Sequence, residues 1–389
     1  MSPIQLRVIK DAWRKAWDDY IDKQTSFENS GNQFALESVA PYKYSVVNNT
    51  NMNRTDAYVN VDIGGGSTDI LFYKERPNKT NKSNAYSVFF AANDIWGNGL
   101  DPLNESEKEN GYIKILRKVL TSDQKIKLDD YEKMASSSAD VVNYLFSGEC
   151  GKQMGWESNY FADIIKQSEV GGVLVVHFSA LMYYLANVIK IDKLDTPKII
   201  NFTGMGSKYI NIISPEKNQI EDIIRYIFKY VGLVDADDVT VSLEENPKEV
   251  TAIGALYMLD SRTTKISLPA SKNVYCITDE EKMDEAPTYK YALGEECQQK
   301  TLNQTEDFLK LLGDGEFRKI IVNSGINFSL ETLIDSGLTG DSLRSSYITM
   351  TDAFRNYSEQ DKKQKLKDAP FFWTLKDTLF KVANTIGSK

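Results

Sequence analysis

The chain has 389 residues, 41% of them apolar and 26% charged, with a formal net charge of −9; that length can fill one large hydrophobic core or two. An acidic total argues against the broad basic face that nucleic-acid binding needs. Three widely separated cysteines, Cys150, Cys276 and Cys297, argue against a disulfide frame and for reduced thiols in a cytoplasmic setting. In chain order, residues 3–23 are predicted to form an amphipathic helix with Ile4, Val8, Trp13, Trp17 and Ile21 near one face. That N-terminus is not apolar enough for a secretory signal. After a polar break, residues 34–47 read as a short strand running into a helix with Pro41 early in it. Three strands are expected at 57–63, 69–75 and 85–92, joined as an antiparallel meander by GGGST and RPNKTNKSN. AANDIWGNGLD is a turn leading to a helix near 105–120, and 121–168 is helical and polar.

An apolar helix is expected over about 172–190. It carries His177, Ser179 and Asn187, so a buried helix fits better than a membrane span. His177, the sole histidine, reads as a packed core residue and not as a catalyst. A buried strand follows at 198–203, then a helix at 216–231, a strand at 238–243 and a helix at 245–259 with Pro247 near its start. Beyond 263, TKISLP, NVYCITD and TYKYALG read as short strands, and the region after 300 is helical. A meander followed by β-α-β-α alternation predicts an α/β fold whose mixed sheet begins antiparallel and continues parallel. A helical insertion near 121–170 and a C-terminal α+β extension complete it.

Two glycine-rich sites stand out. YVNVDIGGGSTDILFY, residues 58–73, places Gly64, Gly65 and Gly66 between two β-runs. A structural hairpin is the simple reading. Yet each extra glycine costs roughly 0.5–1 kcal/mol of backbone entropy, which points to amides that must approach an anion closely. Ser67 and Thr68 add donors, and Asp62 and Asp69 could hold a metal directly or through water. NFTGMGSKYI, residues 201–210, is the second site, again glycines at the end of a buried strand. Ligands of open α/β sheets bind beyond the carboxyl ends of strands, so the pair describes one nucleotide cleft touched twice.

These residues resemble the superfamily of actin, sugar kinases and the seventy-kilodalton heat-shock chaperones. DIGGGSTD at 62–69 matches the second phosphate loop, D-x-G-G-G-[ST]-x-D, at every fixed position. TGMGS at 203–207 is similar to the adenosine motif, with Met205 in place of a glycine. Ala252-Ile253-Gly254-Ala255 resembles the second connecting segment, and FALESVAPY at 34–42 the first. The resemblance implies a ribonuclease H-like, actin-type ATPase lobe that binds ATP and Mg²⁺. Gly64, Gly65, Gly66, Ser67 and Thr68 would wrap the β- and γ-phosphates, and Asp62 would stand near the hydrated metal. Gly204, Met205, Gly206 and Ser207 would border adenine and ribose, Lys208 would lie over the base, and Glu37 would orient the attacking water. The family's first phosphate loop, D-x-G-[ST]-x-x-[ST], has no counterpart before residue 58; DSGLTGDS at 335–342 has the letters but follows the helical LETLI. The expectation is therefore a second lobe at 56–262, preceded at 1–55 by a connecting helix and the first connecting segment, and followed at 263–389 by an appended or returning segment. The lobe would belong to a longer protein, act as a nucleotide-dependent switch with protein partners or self-association, and hydrolyse ATP poorly alone. A small-molecule kinase of the same fold, or a non-catalytic scaffold, are the alternatives.

Overall fold

The computed structural model describes residues 39–48, 53, 55–76, 82–97, 109–157, 159–244, 246–259, 270–271, 288–364, 366 and 368–389. The expected helix at 3–23, Glu37 and the expected strands TKISLP and NVYCITD lie outside the described residues.

Alternating apolar residues build a mixed sheet of five strands: β1 (Tyr58–Ile63), β2 (Thr68–Lys74), β3 (Lys82–Val88), β4 (Ile199–Thr203) and β5 (Thr240–Leu243). A two-residue β6 (Ala270–Ser271) extends its edge, giving the order β5-β4-β1-β2-β3-β6. The first three strands form the expected antiparallel meander, while β4 runs parallel to β1 and β5 parallel to β4. Strands β1, β3, β4 and β5 therefore all end at one edge of the sheet, where β2 begins.

The period-2 alternation divides the sheet chemically. Val59, Val61, Ile63, Ile70 and Phe72 point to one face and join the main core. There they meet α3 (Gly171–Ile191), whose Phe178 ring lies 5.8 Å from that of Phe202. Helix α3 is apolar on all sides, as a core helix should be. It is the one described helix long and apolar enough to cross a membrane, and 94% of its most apolar window is buried inside the protein. Helix α4 (Lys217–Val231) packs beside it and stops at Gly232, whose φ of 91° terminates the helix in the left-handed region.

The opposite face carries Tyr58, Asn60, Asp62, Asn201 and Thr203. Helices α1 (Ala40–Asn48) and α5 (Pro247–Leu259) pack on each other above it, against β1 and β4. They cross at backbone contact: a Cβ on Gly254 would sit 1.9 Å from the Ala40 carbonyl oxygen. Pro41 lies in the first turn of α1, where the missing N–H costs nothing.

Three expectations need correction. Strand β3 covers 82–88 and not 85–92, because Phe89 and Phe90 turn out of the ladder to bond Asp368 and Thr68. The turn expected at 91–101 contains a short helix, α2 (Ala92–Trp96), and the next helix starts at Gly111, capped by Asn110. TYKYALG is helical over Tyr289–Ala292: Thr288 accepts from the Tyr291 amide, and Tyr289 packs its ring 4.8 Å from Phe354. The C-terminal residues are helical as expected, and α6 (Pro370–Ser388) packs on α2 and α3, so its apolar side joins the main core. DSGLTGDS joins two helices, Leu330–Asp335 and Gly340–Arg355, with no strand on either side. His177 is fully buried as expected, stacked 4.2 Å from Phe90 and bonded through Nδ1 to the Tyr209 hydroxyl at 2.9 Å. Burial lowers its pKa to about 3, so it stays neutral.

Candidate functional site

The GGGS loop leaves β1 at Ile63 and re-enters the sheet at Thr68, opposite each other in the ladder. The Gly64 amide closes the turn on the Ser67 carbonyl at 2.9 Å. Two further carbonyls of the loop are held by the start of α2: the Ala92 amide donates to Gly64 O at 3.2 Å, and the Asn93 amide to Gly65 O at 2.8 Å. A trans peptide points its N–H opposite to its C=O. With both carbonyls turned onto α2, the amides of Gly65 and Gly66 must point away from it. Among the described residues nothing accepts from the N–H groups of Gly65, Gly66 or Ser67. Gly65 and Gly66 are exposed, and Ser67 is half-buried. The arrangement is a short row of aligned donors, which is what an anion nest requires.

Neither backbone strain nor packing explains all three glycines. None has φ in the left-handed region. A Cβ on Gly65 would meet only the Asn93 side chain at 3.6 Å, and one on Gly66 would meet nothing within 4 Å. Thr68 is fully buried, and its hydroxyl donates to the Phe90 carbonyl at 2.6 Å, fastening the loop's exit.

The second loop is bound to the first. Gly204 has φ of 79°, and a Cβ there would lie 2.3 Å from Ile63 O and 2.4 Å from an Asp62 carboxylate oxygen. A Cβ on Gly206 would lie 2.6 Å from Ile63 O and 2.7 Å from Gly64 O. These two glycines are demanded by backbone contact between the loops, which share the carboxyl edge of the sheet and touch. Ser207 is buried and donates to Gly204 O at 2.7 Å, closing the 3-10 turn Met205–Tyr209. Met205 is 47% exposed, and Lys208 is exposed beside it.

Asp62 and Asp69 face each other directly across the β1–β2 ladder, both half-buried. Such partners project from the same face about 4.5–5.5 Å apart at the Cα atoms, and like charges so placed repel. A cation between them would remove that cost. Among the described residues, no group of three or more His, Cys, Asp or Glu converges as a metal site, so any cation would keep most of its ligands from water or from a bound anion.

Asp62 is also tied to a buried polar row that sequence reasoning missed. Asn201 Nδ2 donates to Asn60 Oδ1 at 3.1 Å, Asn60 Nδ2 to Thr203 Oγ1 at 3.0 Å, and Thr203 Oγ1 to Asp62 Oδ2 at 3.1 Å. Every donor in the row points toward Asp62. The signal was present: Asn60 interrupts the apolar YVNVDI run at the same parity as Asp62, and Asn201 does so in IINFT.

No protein-family model matches this chain, and no curated protein matches it at a significant level.

Proposed function

We propose that the chain is a nucleotide-binding lobe of the actin, sugar-kinase and heat-shock-chaperone type, gripping the phosphates of ATP with the Gly64–Thr68 loop. The observation that carries the reading is the pair of Gly65 and Gly66 amides, turned outward by α2 at a position where the fold itself has no use for a missing Cβ. The strand order β5-β4-β1-β2-β3, with β2 alone reversed, is the order expected of a ribonuclease H-like lobe. The backbone contact of Gly254 with Ala40 is what two adjoining connecting segments of such a lobe would make. In this reading the Asp62–Asp69 pair holds hydrated Mg²⁺, the second loop borders the nucleoside, and exposed Met205 and Lys208 lie against the base. Glu37 would orient water. The activity is a nucleotide-dependent switch, set in a cytoplasmic protein with protein partners.

These residues grip a phosphate chain from one side. Phosphoryl transfer depends on positioning and charge stabilisation around the whole transferred group, so the isolated chain should bind Mg-ATP weakly, at about 10 μM to 1 mM, roughly 4–7 kcal/mol, and turn it over near background. Calorimetric titration with Mg-ATP together with a phosphate-release assay tests this. Weak binding abolished by Gly65→Val, whose side chain would cover the amides, is the expected result. Absence of any binding by the wild-type chain would leave a scaffold that keeps the fold without the nucleotide. Robust turnover lost in Asp62→Ala would show a complete active site instead.

A further inference from the structure

Behind the glycine loop lies a buried cluster of three charged side chains: Asp94 on α2, Lys376 on α6, and Asp368 just before α6. All three are 5–6% exposed. Lys376 Nζ lies 3.2 Å from Asp368 Oδ2. Burial works against the Lys376 charge, but Asp368 and Asp94 together more than offset it. Exchanging a buried ion pair for apolar residues is often neutral or stabilising, so stability alone does not account for three charges in this core.

Their backbone bonds do. The other oxygen of Asp368 accepts from the Phe89 amide at 3.1 Å and from the Ala369 amide at 2.9 Å. Asp94 accepts from the Ala91 amide at 2.7 Å. The two carboxylates thus grip the chain on either side of Phe90, whose ring is stacked between His177 and Phe372. The next two amides, Ala92 and Asn93, are the ones that hold the Gly64 and Gly65 carbonyls. From the Lys376 ammonium to the outward amides of the loop, the connection is an unbroken run of carboxylates and peptide groups.

We infer that Lys376 is a positioning residue for the glycine loop, acting through Asp368 and Asp94, so that helix α6 sets the loop's affinity for a polyphosphate. This rests on the reading of that loop as a phosphate site. Without the ammonium Asp368 Oδ2 loses its buried partner and Asp94, its carboxyl already held high by burial, takes up a proton. The 89–94 segment then loses its fixed spacing, and the loop carbonyls lose the donors that orient their amides.

The test uses the full chain and its Lys376→Met, Lys376→Arg and Asp368→Asn variants. Three quantities are compared: melting temperature, amide hydrogen exchange of peptides covering 63–68 and 89–96, and calorimetric affinity for inorganic tripolyphosphate with Mg²⁺. Lys376→Met should speed exchange in both segments and weaken tripolyphosphate binding about tenfold, within the usual span of such couplings, with Lys376→Arg recovering part of both. A Lys376→Met protein that melts lower yet keeps wild-type exchange at 63–68 and wild-type affinity overturns the inference. Should Lys376→Met fail to fold, Asp368→Asn decides by the same two readouts. If the wild-type chain binds no tripolyphosphate, the nucleotide reading falls, and exchange at 63–68 alone still judges the role of Lys376.

Discussion

Thr203 donates its hydroxyl to Asp62 across the parallel β1–β4 pair at 3.1 Å, while accepting from Asn60 at 3.0 Å. A single buried hydroxyl thus both orients the carboxylate and satisfies an amide donor. Thr203→Val keeps the shape and removes both bonds. The orphaned Asn60 donor should cost about 1–3 kcal/mol, seen as a lower denaturant midpoint. Mg²⁺-dependent nucleotide binding should weaken as well, since Asp62 loses its fixed orientation. A variant as stable as wild type would show that the row contributes no net free energy.

Gly66 and Gly206 separate ligand demand from fold demand. A methyl at Gly66 enters open space, so Gly66→Ala should stay within about 0.5 kcal/mol of wild type, as surface changes do, while binding Mg-ATP less well. A methyl at Gly206 would sit 2.6–2.7 Å from two backbone oxygens, and such overpacking typically costs about 1–3 kcal/mol. Thermal melts paired with calorimetry distinguish the two, and the reverse pattern would contradict the assignment.

Gly254→Ala tests the α1–α5 crossing. Its Cβ would lie 1.9 Å from Ala40 O, and a carbonyl in a helix cannot rotate aside. Separation of the helices should cost about 1–3 kcal/mol or more and raise hydrogen exchange in 40–48. Unchanged exchange there would mean that the helices do not meet as described.

Asp94 gives the protein a pH dependence with a definite sign. Burial raises its pKa to about 7, with Asp368 adding to the rise and Lys376 and the Ala91 amide opposing it. The folded state therefore holds the proton more tightly than the unfolded state, whose carboxyl titrates near about 4. The resulting stabilisation is full below about pH 4 and is lost as pH rises through about 7. Asp94→Asn, uncharged throughout, should gain on wild type in unfolding free energy between about pH 5 and pH 8, by about a few kcal/mol at most, read as a melting-temperature difference that widens with pH. A difference that stays constant over that range rules out titration of Asp94 there.

The sheet and its two loops were legible because local chemistry writes them: period-2 runs for β1, β2 and β4, and glycines where those strands stop. Asn60 and Asn201 were legible in principle, as polar residues at the parity of Asp62. The supports were not. Asp368 and Lys376 support the 89–94 segment from about 280 residues further on, and no spacing rule connects them to Phe89 or Asp94. TYKYALG misled because its tyrosines favour strands, whereas the Thr288 cap and the packing of Tyr289 on Phe354 favour a helix. The third strand was placed too late because Phe89 and Phe90 continue an apolar pattern after their backbone has left the ladder.

The bond between Phe89 and Asp368 joins residues 279 apart, and that separation has a consequence in time. Closing so long a stretch of chain is entropically expensive, so such contacts form after local ones. The β1–β2–β3 meander can assemble as soon as its own residues are available, with its glycine turn in place. The platform that aims the turn's amides is complete only once α6 has docked. On a ribosome, where α6 is made long after the meander, the loop is shaped early and becomes competent late, once Asp368 and Lys376 have reached the 89–94 segment.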